Sequence, residues 1–526
     1  MKFKVCILAA GKGTRNSYSD DYHKSLIPLN GKSILSNIMD CYPKNTEYVI
    51  AVGYRSELIK NYLKITHPQK KIKFVKIDNY DGLGSGPGYS LLKCKKYLQT
   101  PFISHACDAL IKNEIHGLTH NWLGYDKIKK KQFSKFVSFE FDKDGNINFK
   151  RKNNSGNIFV GIAGIYDYKN FWKILKDKNF FSLKLSKKNN YEKQMIDGFK
   201  GLKNIKKKKL NWFDTGDDLT YETSILKMSK GHNLVMPKKN EFIYFENKMV
   251  IKYFKDTNIA KYRFKRTKYL KNFMPKNIKI KDNFLYYDFY KGKTLTHFKT
   301  SNVFKFFMNK MINEFWKEKK LNKNLKNKFE KECYEFYKTK TYSRVNKFIK
   351  MYPESDKIKF VNNYKIRGIK ELLRELNWNE LKKGKSTIVH GDTAPNNVIF
   401  AKNRMEFKLI DWREKFNNLI EYGDIYYDLA KIYHALEISQ LLEVSKSYQV
   451  FEKNNKVAIK YKLYKNLSSF KGIFKKIIMK TDLDFDKIFL LSNIIFLNIA
   501  PLHPGKFGKL FFWKGIYNLN KFLNEK

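Results

Sequence analysis

The sequence predicts two domains: an N-terminal α/β domain built on a mixed, mostly parallel sheet, and a C-terminal α+β domain in which a small β-rich lobe precedes a larger helical lobe. Three observations support this prediction. The chain has 526 residues, which is too long for one ordinary hydrophobic core. Up to about residue 230, short apolar runs alternate with helix-length stretches. From about residue 301 the apolar period becomes helical.

In the N-terminal part, the alternation of strand-length and helix-length segments predicts βαβ units. The pattern loosens between Lys227 and Glu241, so we predict domains at 1–234 and 238–526. We expect the run Lys206–Lys209 to be a solvated surface feature. The predicted strands are Val5–Ala10, Tyr48–Gly53, Ile72–Ile77, Phe102–Ala106, Phe136–Phe141 and Ile158–Ile165.

In the C-terminal part, the segment Phe242–Phe254 predicts two strands joined by a tight turn, and a second pair of strands is expected over 278–290. We place the small lobe at about 238–295 and the helical lobe at 296–526. Helices are expected to dominate the latter, apart from two short strands that bracket a loop at His390. The first helix shows apolar residues three and four apart, namely Phe304, Phe307, Met308, Met311 and Phe315.

The chain is strongly basic, with a net charge of +55 from 105 basic and 50 acidic residues. A surplus of this size is typical of proteins that bind nucleic acids or membrane surfaces. Here the excess is mostly Lys spread along the whole length, whereas Arg, which reads bases and phosphates better, is scarce. We interpret the charge as compositional drift plus attraction for anionic substrates, and predict no dedicated nucleic-acid partner.

Cysteine usage and hydropathy favour a cytoplasmic protein. The five cysteines show no Cys-x-x-Cys spacing and are expected to be reduced core residues. The N-terminal run leads directly into a functional loop and does not predict a cleaved signal. The most apolar segment, Ile488–Leu502, is interrupted by polar residues and falls short of the roughly 18 to 20 residues that span a bilayer. We predict no membrane span and leave contact with a membrane surface open.

The loop after the first predicted strand combines small and basic residues, Gly11-Lys12-Gly13-Thr14-Arg15. Glycines there let backbone N–H groups approach phosphate oxygens, and Lys12 and Arg15 add positive charge. The dinucleotide-binding fingerprint is not met, because Asn16 stands where its third glycine belongs. The loop alone is therefore better interpreted as a plain turn, and phosphate binding depends on further motifs.

Four later segments narrow the interpretation: His23–Lys32 with Lys24, the glycine-rich Asp81–Gly88, Ala106-Cys107-Asp108 at the end of an apolar strand, and Trp212-Phe213-Asp214-Thr215-Gly216. In this order they resemble the nucleotidyltransferases that activate sugars and amino alcohols, whose signature reads Trp-x-Asp-Thr-Gly. The resemblance implies a Rossmann-like fold with Asp108 and Asp214 as Mg²⁺ ligands. It also implies that the nucleotide contacts are Gly11, Lys12, Gly13, Thr14, Gly82 and Gly84.

This resemblance also implies a reaction. The phosphate of a phosphorylated substrate attacks the α-phosphorus of a nucleoside triphosphate, and pyrophosphate leaves. Both reactants are polyanions, so the protein must hold them in line and offset their charge. Arg15 and Lys24 are the implied catalytic residues. Lys150 or Lys152 is a candidate contact for the incoming phosphate, although solvated surface lysines are an equal alternative.

A second set of residues follows His390-Gly391-Asp392, with Asn397 and then Asp411. An Asp for a substrate hydroxyl, with an Asn and a second Asp for magnesium, is the minimum needed to transfer a γ-phosphate. The pattern resembles the choline kinase and aminoglycoside phosphotransferase family, whose loop reads His-x-Asp-x-x-x-x-Asn. That resemblance implies a kinase-like two-lobed fold, Asp392 as the catalytic base, and Asn397 and Asp411 as Mg²⁺ ligands. We expect His390 to brace the loop.

The same resemblance assigns ATP contacts. Lys252 is the candidate partner of the α- and β-phosphates, and the segment with Asp288 and Tyr290 resembles the hinge that meets adenine. Asp424 is expected to cap a helix. The sequence departs from the family in two ways, since no glycine-rich loop precedes Lys252 and no Glu follows it closely. Because the base and metal-binding residues are complete, we predict an active kinase, with lost activity as the alternative.

A kinase makes a phosphate monoester and a nucleotidyltransferase consumes one, so the sequence predicts a bifunctional enzyme with Mg²⁺ at both sites. ATP would phosphorylate a small alcohol, choline-like for preference, and a second nucleotide, CTP for preference, would activate the product for cell-surface glycans such as capsule or lipopolysaccharide. One alternative is a sugar or amino sugar converted to an NDP-sugar. Another is a basic nucleic-acid-binding protein with degenerate nucleotide folds. The latter predicts loss of acidic metal ligands, whereas all four predicted aspartates are retained.

Overall fold

The protein is described from a computed structural model. The structure describes residues 2–15, 17, 22–82, 84–127, 136–143, 147–151, 157–177, 195–196, 198–199, 201–228, 240–401, 403, 405–439 and 441–525. Contacts divide the chain into two compact units, Met1–Thr257 with Ile280–Tyr286, and Asn258–Lys279 with Tyr287–Lys526. This division differs from the domain boundary predicted near residues 234–238, because the strands that follow residue 240 share the core of the first unit. The predicted boundary residues 229–239 lie outside the described residues.

The first unit contains a nine-stranded mixed sheet and several short strands. Its strands begin with β1 (Lys4–Ala9), β2 (Pro28–Leu29), β3 (Lys32–Ser33), β4 (Glu47–Val52), β5 (Ile72–Lys76), β6 (Phe102–Ala106) and β7 (Ala109–Ile111). They continue with β8 (Trp122–Asp126), β9 (Val137–Phe141), β10 (Ile147–Arg151), β11 (Ile158–Ile165), β12 (Lys206–Lys209) and β13 (Trp212–Asp214). The order is β10-β9-β11-β6-β1-β4-β5, with β8 beside β11 and β12 beside β8. All six predicted strands are present, each within one residue at either end.

The centre of this sheet is parallel, since β1 pairs in parallel with β4 and β6, and β4 with β5. Strands β9, β10 and β11 pair antiparallel, which makes the sheet mixed. Val5, Ile7 and Ala9 lie in one buried apolar cluster and Cys6 and Ala10 in another, so both faces of β1 are covered. Continuous apolar strands of this kind are expected where helices pack on both faces. The predicted α/β fold is confirmed.

The helices of the first unit begin where capping signals predict. Ser33 caps the first helix by accepting a hydrogen bond from the Ser36 N–H at 2.9 Å. Pro87 occupies the first turn of the third helix, where its missing N–H costs nothing. The helices are α1 (Ile34–Asp40), α2 (Ser56–Thr66), α3 (Pro87–Cys94), α4 (Tyr168–Asp177) and α5 (Asp218–Met228).

A second sheet of the first unit follows residue 240. It has the order β14-β15-β17-β16, with β14 (Glu241–Glu246), β15 (Met249–Phe254), β16 (Lys279–Lys281) and β17 (Phe284–Asp288). Both predicted strand pairs are therefore confirmed, and the tight turn places Asn247 and Lys248 at φ 50° and 58°. Tyr244 is fully buried and donates its hydroxyl hydrogen bond to the Leu26 carbonyl at 2.7 Å. Glu246 accepts hydrogen bonds from Ser36 Oγ at 3.1 Å and from Tyr62.

The second unit is mainly helical. Its helices are α6 (Thr257–Leu270), α7 (Ser301–Lys310), α8 (Lys323–Tyr334), α9 (Lys340–Met351), α10 (Ile369–Glu375), α11 (Trp378–Leu381), α12 (Ile425–Glu437), α13 (Leu441–Ser445), α14 (Lys465–Ile478), α15 (Phe485–Ile499) and α16 (Lys506–Glu525). Its strands are β18 (Lys293–Thr294), β19 (Phe360–Val361), β20 (Tyr364–Lys365), β21 (Ser386–Thr387), β22 (Val398–Ala401), β23 (Glu406–Leu409), β24 (Gly423–Asp424), β25 (Tyr448–Lys453) and β26 (Lys456–Tyr461). The predicted α+β class is confirmed.

The expectation that helices dominate up to the C-terminus, with strands only around the loop at His390, is wrong in one place. Strands β19, β20, β25 and β26 form a sheet in the order β20-β19-β26-β25. The hairpin β25–β26 turns at Asn454, whose φ of 53° is the left-handed conformation that Asn tolerates. Its strands carry many exposed polar residues, so their apolar alternation is too weak to predict from the sequence.

Two further expectations concern lysines and cysteines. Lys206–Lys209 forms the edge strand β12, parallel to β8, and is largely solvated as expected. Three of its four side chains are exposed, while Lys208 is half-buried, with Nζ 4.8 Å from the Trp122 ring centroid. The cysteine prediction is confirmed, because all five are buried and none is in a disulfide: Cys6, Cys41, Cys94, Cys107 and Cys333.

One helical segment of the described chain, Phe485–Leu502, reaches the length and apolarity that a membrane span requires. The apolar segment predicted to be too short, Ile488–Leu502, is extended because the helix begins three residues earlier, at Phe485. The segment is 18 residues long with a mean hydropathy of 1.5, and 56% of it is buried within the protein. Helix α15 packs on α12 and α16, as a core helix does.

Candidate active sites

The first candidate site lies at the carboxyl ends of β1 and β6. These strands are parallel neighbours, with Leu8 paired to Ala106, so the loop Gly11–Arg15 and Asp108 leave the same edge of the sheet. Gly13 has φ +71°, and a Cβ there would lie 2.7 Å from Lys24 Cδ. Gly13 therefore meets both a conformational and a packing requirement, and Lys24 passes directly against the loop.

Strand pairing brings Asp214 to the same place. Strands β13 and β7 are antiparallel, and Asp214 pairs with Ala109, the residue after Asp108. Thr215 fixes this register by donating from N and Oγ1 to the Asp108 carbonyl, at 3.2 and 2.8 Å.

Gly216 shows how closely the predicted groups converge. A Cβ at this glycine would lie 3.1 Å from Asp214 Oδ1, 3.4 Å from Arg15 Nη2 and 3.5 Å from Asp108 Oδ2. Four of the predicted residues, Arg15, Lys24, Asp108 and Asp214, are thus gathered around one point.

The two carboxylates at this point differ in charge compensation. Lys24 Nζ lies 2.6 Å from Asp108 Oδ2. Burial raises the pKa of Asp108, but the charge and hydrogen bond of Lys24, helped by Arg15, outweigh it and hold that pKa below its usual value. Burial and the neighbouring charge of Asp108 raise the pKa of Asp214. The site therefore carries one compensated carboxylate beside one that a further cation would stabilise.

This donor set fits magnesium. Among the described residues, no group of three or more His, Cys, Asp or Glu side chains is arranged to hold a metal ion. Mg²⁺ is commonly held by one or two carboxylates together with substrate phosphates and water, so a full protein cage is not needed. Asp108 and Asp214 are hard oxygen ligands at one point and would hold Mg²⁺ together with a nucleotide.

The predicted nucleotide contacts lie in two segments. Gly82 and Gly84 have φ of +80° and +78°, a conformation that favours glycine. Lys12 forms an exposed ion pair with Asp81, which links the loop after β1 to this glycine segment. Gly11 faces open space and Thr14 is exposed, so both are accessible to a ligand. Lys152 and the side chain of Lys150 lie outside the described residues.

The second candidate site lies at one end of the hairpin β22–β23. Val398 pairs with Leu409, and the Ile410 N–H donates to the Asn397 carbonyl at 2.9 Å, so Asn397 and Asp411 are neighbours at that end. Asn397 Nδ2 donates to the Asp392 carbonyl at 2.9 Å, which turns the amide oxygen into the available ligand atom. Asp411 has φ +62°, which is uncommon for a residue with a side chain. An amide oxygen and a carboxylate fit Mg²⁺ bound with ATP phosphates.

Asp392 is ion-paired with a lysine that sequence analysis missed. Lys431 Nζ, on α12, lies 2.7 Å from Asp392 Oδ1. Burial raises the pKa of Asp392, but the charge and hydrogen bond of Lys431, with a contribution from Arg413, hold it well below its usual value. Asp392 is therefore ionised at neutral pH and is a weak base.

The loop around Asp392 is braced from below by a second missed residue, Asp428. Its carboxylate accepts hydrogen bonds from the His390 and Gly391 N–H groups, both at 2.7 Å, and from Trp316 Nε1 at 3.0 Å. His390 is fully buried, its Nδ1 accepts from the Asp392 N–H at 3.2 Å, and burial lowers its pKa to about 3. A neutral, buried His390 suits the predicted bracing role better than proton transfer.

The segment that holds the predicted adenine hinge continues into β18, which joins the sheet of the hairpin β22–β23. Strand β18 pairs with β22, and a Cβ at Gly292 would lie 2.8 Å from Ile399 Cγ2, so the segment packs tightly on the hairpin. Asp288 accepts a hydrogen bond from Asn277 Nδ2 at 2.8 Å, and Tyr290 lies two residues beyond the end of β17. Asp424 caps α12 as expected, accepting from the Tyr426 N–H at 3.2 Å.

Lys252 lies in the first unit, on β15, and has an acidic partner. Its Nζ is 3.2 Å from Glu241 Oε1 on β14, and the residue is 2% exposed. No Glu follows Lys252 closely in the sequence. Its carboxylate partner comes from the preceding strand, where Ile243 pairs with Lys252 and Glu241 therefore lies diagonally across from the lysine.

Comparison with known families matches residues 359–453 to the phosphotransferase enzyme family. That range includes Asp392, Asn397, Asp411 and Lys431, and it confirms the resemblance predicted for the C-terminal part. A comparison with curated proteins found no match.

Several solved structures are similar to part of this chain. The CTP:phosphocholine cytidylyltransferase from Streptococcus pneumoniae is 19% identical, over 44% of this chain and 100% of that one, with a TM-score of 0.37. The UDP-glucose pyrophosphorylase from Acinetobacter baumanii is 14% identical, over 44% and 95%, with a TM-score of 0.34. The inositol-1-phosphate CTP transferase from T. maritima is 15% identical, over 44% and 98%, with a TM-score of 0.34.

Proposed function

We propose that the protein is a bifunctional transferase in which one site makes the substrate of the other. The C-terminal site phosphorylates a small alcohol with ATP. The N-terminal site couples the phosphate product to a second nucleoside triphosphate and releases pyrophosphate. The observation that carries this proposal is the convergence of Arg15, Lys24, Asp108 and Asp214 around Gly216 in a chain that also holds a phosphotransferase-type Asp392 loop.

In the first step, Asp392 orients the hydroxyl of the alcohol toward the γ-phosphate. A bond forms between the hydroxyl oxygen and the γ-phosphorus, the bond from that phosphorus to the β-γ bridging oxygen breaks, and ADP leaves. The low pKa of Asp392 suits a residue that positions the hydroxyl and receives its proton late, as a loose transition state requires. Asn397 and Asp411 would hold Mg²⁺, whose chemistry is to offset charge on the phosphates. Lys252 is the proposed contact for the α- and β-phosphates.

In the second step, an oxygen of the phosphate monoester attacks the α-phosphorus of the nucleotide. The bond between that phosphorus and the α-β bridging oxygen breaks, and pyrophosphate leaves with its electron pair. Arg15 and Lys24 lie where they would offset the negative charge of phosphates held at Asp108 and Asp214. The glycines at 11, 13, 82 and 84 would admit the nucleotide close to the backbone.

The motif resemblance favours a choline-like alcohol and CTP, with a sugar or amino sugar as the alternative alcohol. In either case the product is an activated precursor of the kind that decorates cell-surface glycans, made in the cytoplasm. The retained and clustered acidic residues support this reading over a degenerate nucleic-acid-binding fold, which does not require them.

The proposal is tested by supplying ATP, each of four nucleoside triphosphates and a panel of alcohols and sugars, and measuring ADP and pyrophosphate separately. Asp392→Asn should abolish ADP release but leave pyrophosphate release from pre-phosphorylated substrate. Asp108→Asn should do the reverse. Asp167→Asn, at the far end of β11 from Asp108, is the matched control and should leave both activities unchanged. If both site variants retain both activities, the assignments are wrong.

A further inference from the structure

Basic side chains crowd the region around Asp392. Besides Lys431, Arg413 packs directly on the loop, since a Cβ at Gly391 would lie 2.7 Å from Arg413 Cβ. The Arg413 guanidinium carbon is 5.4 Å from the ring centroid of Phe336 and 5.6 Å from that of Tyr427. Lys340 Nζ lies 4.1 Å from the same Phe336 ring. Two cations therefore share one aromatic ring beside the catalytic loop.

Two carboxylates near this cluster are already engaged. Asp428 holds the loop N–H groups and Trp316, and Asp424 accepts from Tyr337 and from the Lys385 and Tyr426 N–H groups. Burial lowers the pKa of Arg413, but Tyr427, Asp392, Glu414 and Asp428 outweigh it and raise that pKa, whereas for Lys340 the effect of Glu414 does not offset burial. In the part of the chain that the structure describes, neither Lys340 nor Arg413 has a carboxylate within ion-pair distance, while Lys431 is paired with Asp392 itself.

Burial and the neighbouring positive charges lower the pKa of Lys340. Burial and the charges of Arg413, Lys431 and Arg344 lower the pKa of Lys340 to about 6. A pKa of about 6 leaves Lys340 largely neutral at pH 7, and a bound anion would restore its charge. The choline-like alcohol that the motif resemblance favours carries a quaternary amine, which would add to the positive charge of Lys431 and Arg413, whereas a carboxylate or phosphate would offset that charge. The cluster therefore argues against a choline-like alcohol.

Resting on the proposed kinase function, we infer that the alcohol phosphorylated at Asp392 carries a carboxylate or phosphate group, which Lys340 and Arg413 bind. An alcohol whose hydroxyl lies at Asp392 would have its neighbouring carbons beside Lys431 and Arg413. Lys340 and Arg413 lie against the same Phe336 ring, so an acidic group on those carbons would approach both of them. The γ-phosphoryl transfer is unchanged, and its product carries two anionic groups.

The test uses full-length protein with Mg²⁺ and ATP and compares alcohols that differ chiefly in charge. The matched sets are glucose, glucuronate and glucosamine; glycerol and glycerol 3-phosphate; and 3,3-dimethylbutan-1-ol and choline. Release of ADP is measured for the wild type, Lys340→Met, Arg413→Gln and the control Lys347→Met, an exposed lysine of α9.

In the wild type, the anionic member of a set should have a kcat/KM at least about tenfold above its neutral partner. Lys340→Met and Arg413→Gln should each remove most of that preference and leave the KM for ATP unchanged, while Lys347→Met changes nothing. Arg413→Gln should also lower the rate with every alcohol, because Arg413 helps to hold down the pKa of Asp392. A preference for the neutral or cationic member, with ADP release still dependent on Asp392, overturns the inference and leaves the kinase proposal standing. An equal rise in the KM for ATP with every alcohol also overturns it and assigns the cations to ATP. Absence of Asp392-dependent ADP release with all alcohols overturns both.

Discussion

Each candidate site contains a lysine–aspartate ion pair, but the aspartate has a different predicted role in each. In the N-terminal site, Lys24 pairs at 2.6 Å with Asp108, a predicted metal ligand. In the C-terminal site, Lys431 pairs at 2.7 Å with Asp392, the predicted base, and the predicted metal ligands Asn397 and Asp411 lie apart from that lysine on a hairpin. Both lysines hold the pKa of a buried carboxylate below its usual value.

The difference shows what each site must control. A lysine on a metal-type carboxylate competes with the metal and is close to the phosphates that the metal brings. A lysine on the base keeps that base ionised without touching the metal ligands. Under the proposed roles, position relative to the metal, more than the ion pair itself, would set the role of each lysine.

The largest expected effect is the loss of the N-terminal activity with the C-terminal activity retained. Asp214→Asn removes one of the two carboxylates at Gly216, so pyrophosphate release from a phosphorylated substrate should fall by about a thousandfold, while ADP release stays within twofold. Parallel assays of the two products check this prediction. A similar fall in both products would indicate damage to folding, and unchanged pyrophosphate release would remove Asp214 from the site.

The C-terminal pair predicts a change in pH dependence. Lys431→Met should lower ADP release at pH 7 by about a hundredfold, because burial then dominates and raises the pKa of Asp392. Activity that needs the ionised carboxylate is lost as the pH falls through that pKa, so the acid limb of the rate profile should move to higher pH. Profiles from pH 5 to 9 measure the shift. Lys431→Arg, which keeps the charge, should retain the wild-type limb, and an unshifted limb in Lys431→Met would contradict the assigned role.

The N-terminal pair predicts the opposite kind of change. Lys24→Met should lower the kcat for pyrophosphate release by about tenfold through lost phosphate stabilisation. It should also lower the Mg²⁺ concentration needed for half-maximal rate, because a competing cation is gone from Asp108. Titration of Mg²⁺ at saturating nucleotide separates the two effects. A higher Mg²⁺ requirement would show that Lys24 supports the metal site instead of competing with it.

The smallest effect concerns an exposed pair of the same type. Lys12 and Asp81 are both exposed, so solvent and salt screen their interaction. Asp81→Asn should therefore change the KM for the nucleotide by no more than about threefold and leave kcat unchanged. Steady-state kinetics at low and high salt test this, and a tenfold loss in kcat would mean that the pair closes the site.

The fold could be predicted from the sequence where apolar runs are continuous. Six of the nine strands of the N-terminal sheet could be predicted, because both faces of the sheet are buried and these strands are bounded by polar residues, whereas β8, β10 and β12 were not predicted. The hairpin at 241–254 was predicted as well, but the sequence did not indicate that it packs in the core of the first unit. Tyr244 and Glu246 reveal that membership only through contacts with residues roughly 180 to 220 positions earlier.

The site residues divide in the same way. Motif spacing was enough to nominate Arg15, Lys24, Asp108 and Asp214, and strand pairing brings them together. Lys431 and Asp428 were missed, since they lie one helix away from Asp392 and their contact depends on how α12 packs. Glu241 was not predicted as the partner of Lys252, because it precedes the lysine in sequence and only the register of the hairpin places the two side chains together.

The central claim, that one chain carries two consecutive reactions, is tested most directly by mixing variants. Asp392→Asn and Asp108→Asn proteins are each supplied with the alcohol, ATP and the second nucleotide, and formation of the NDP-linked alcohol is followed by chromatography. Neither variant alone should form this product, and an equimolar mixture should restore it, because phosphorylated alcohol from one protein feeds the other. Product from either variant alone, or an inactive mixture whose members each retain their own single step, would contradict the account.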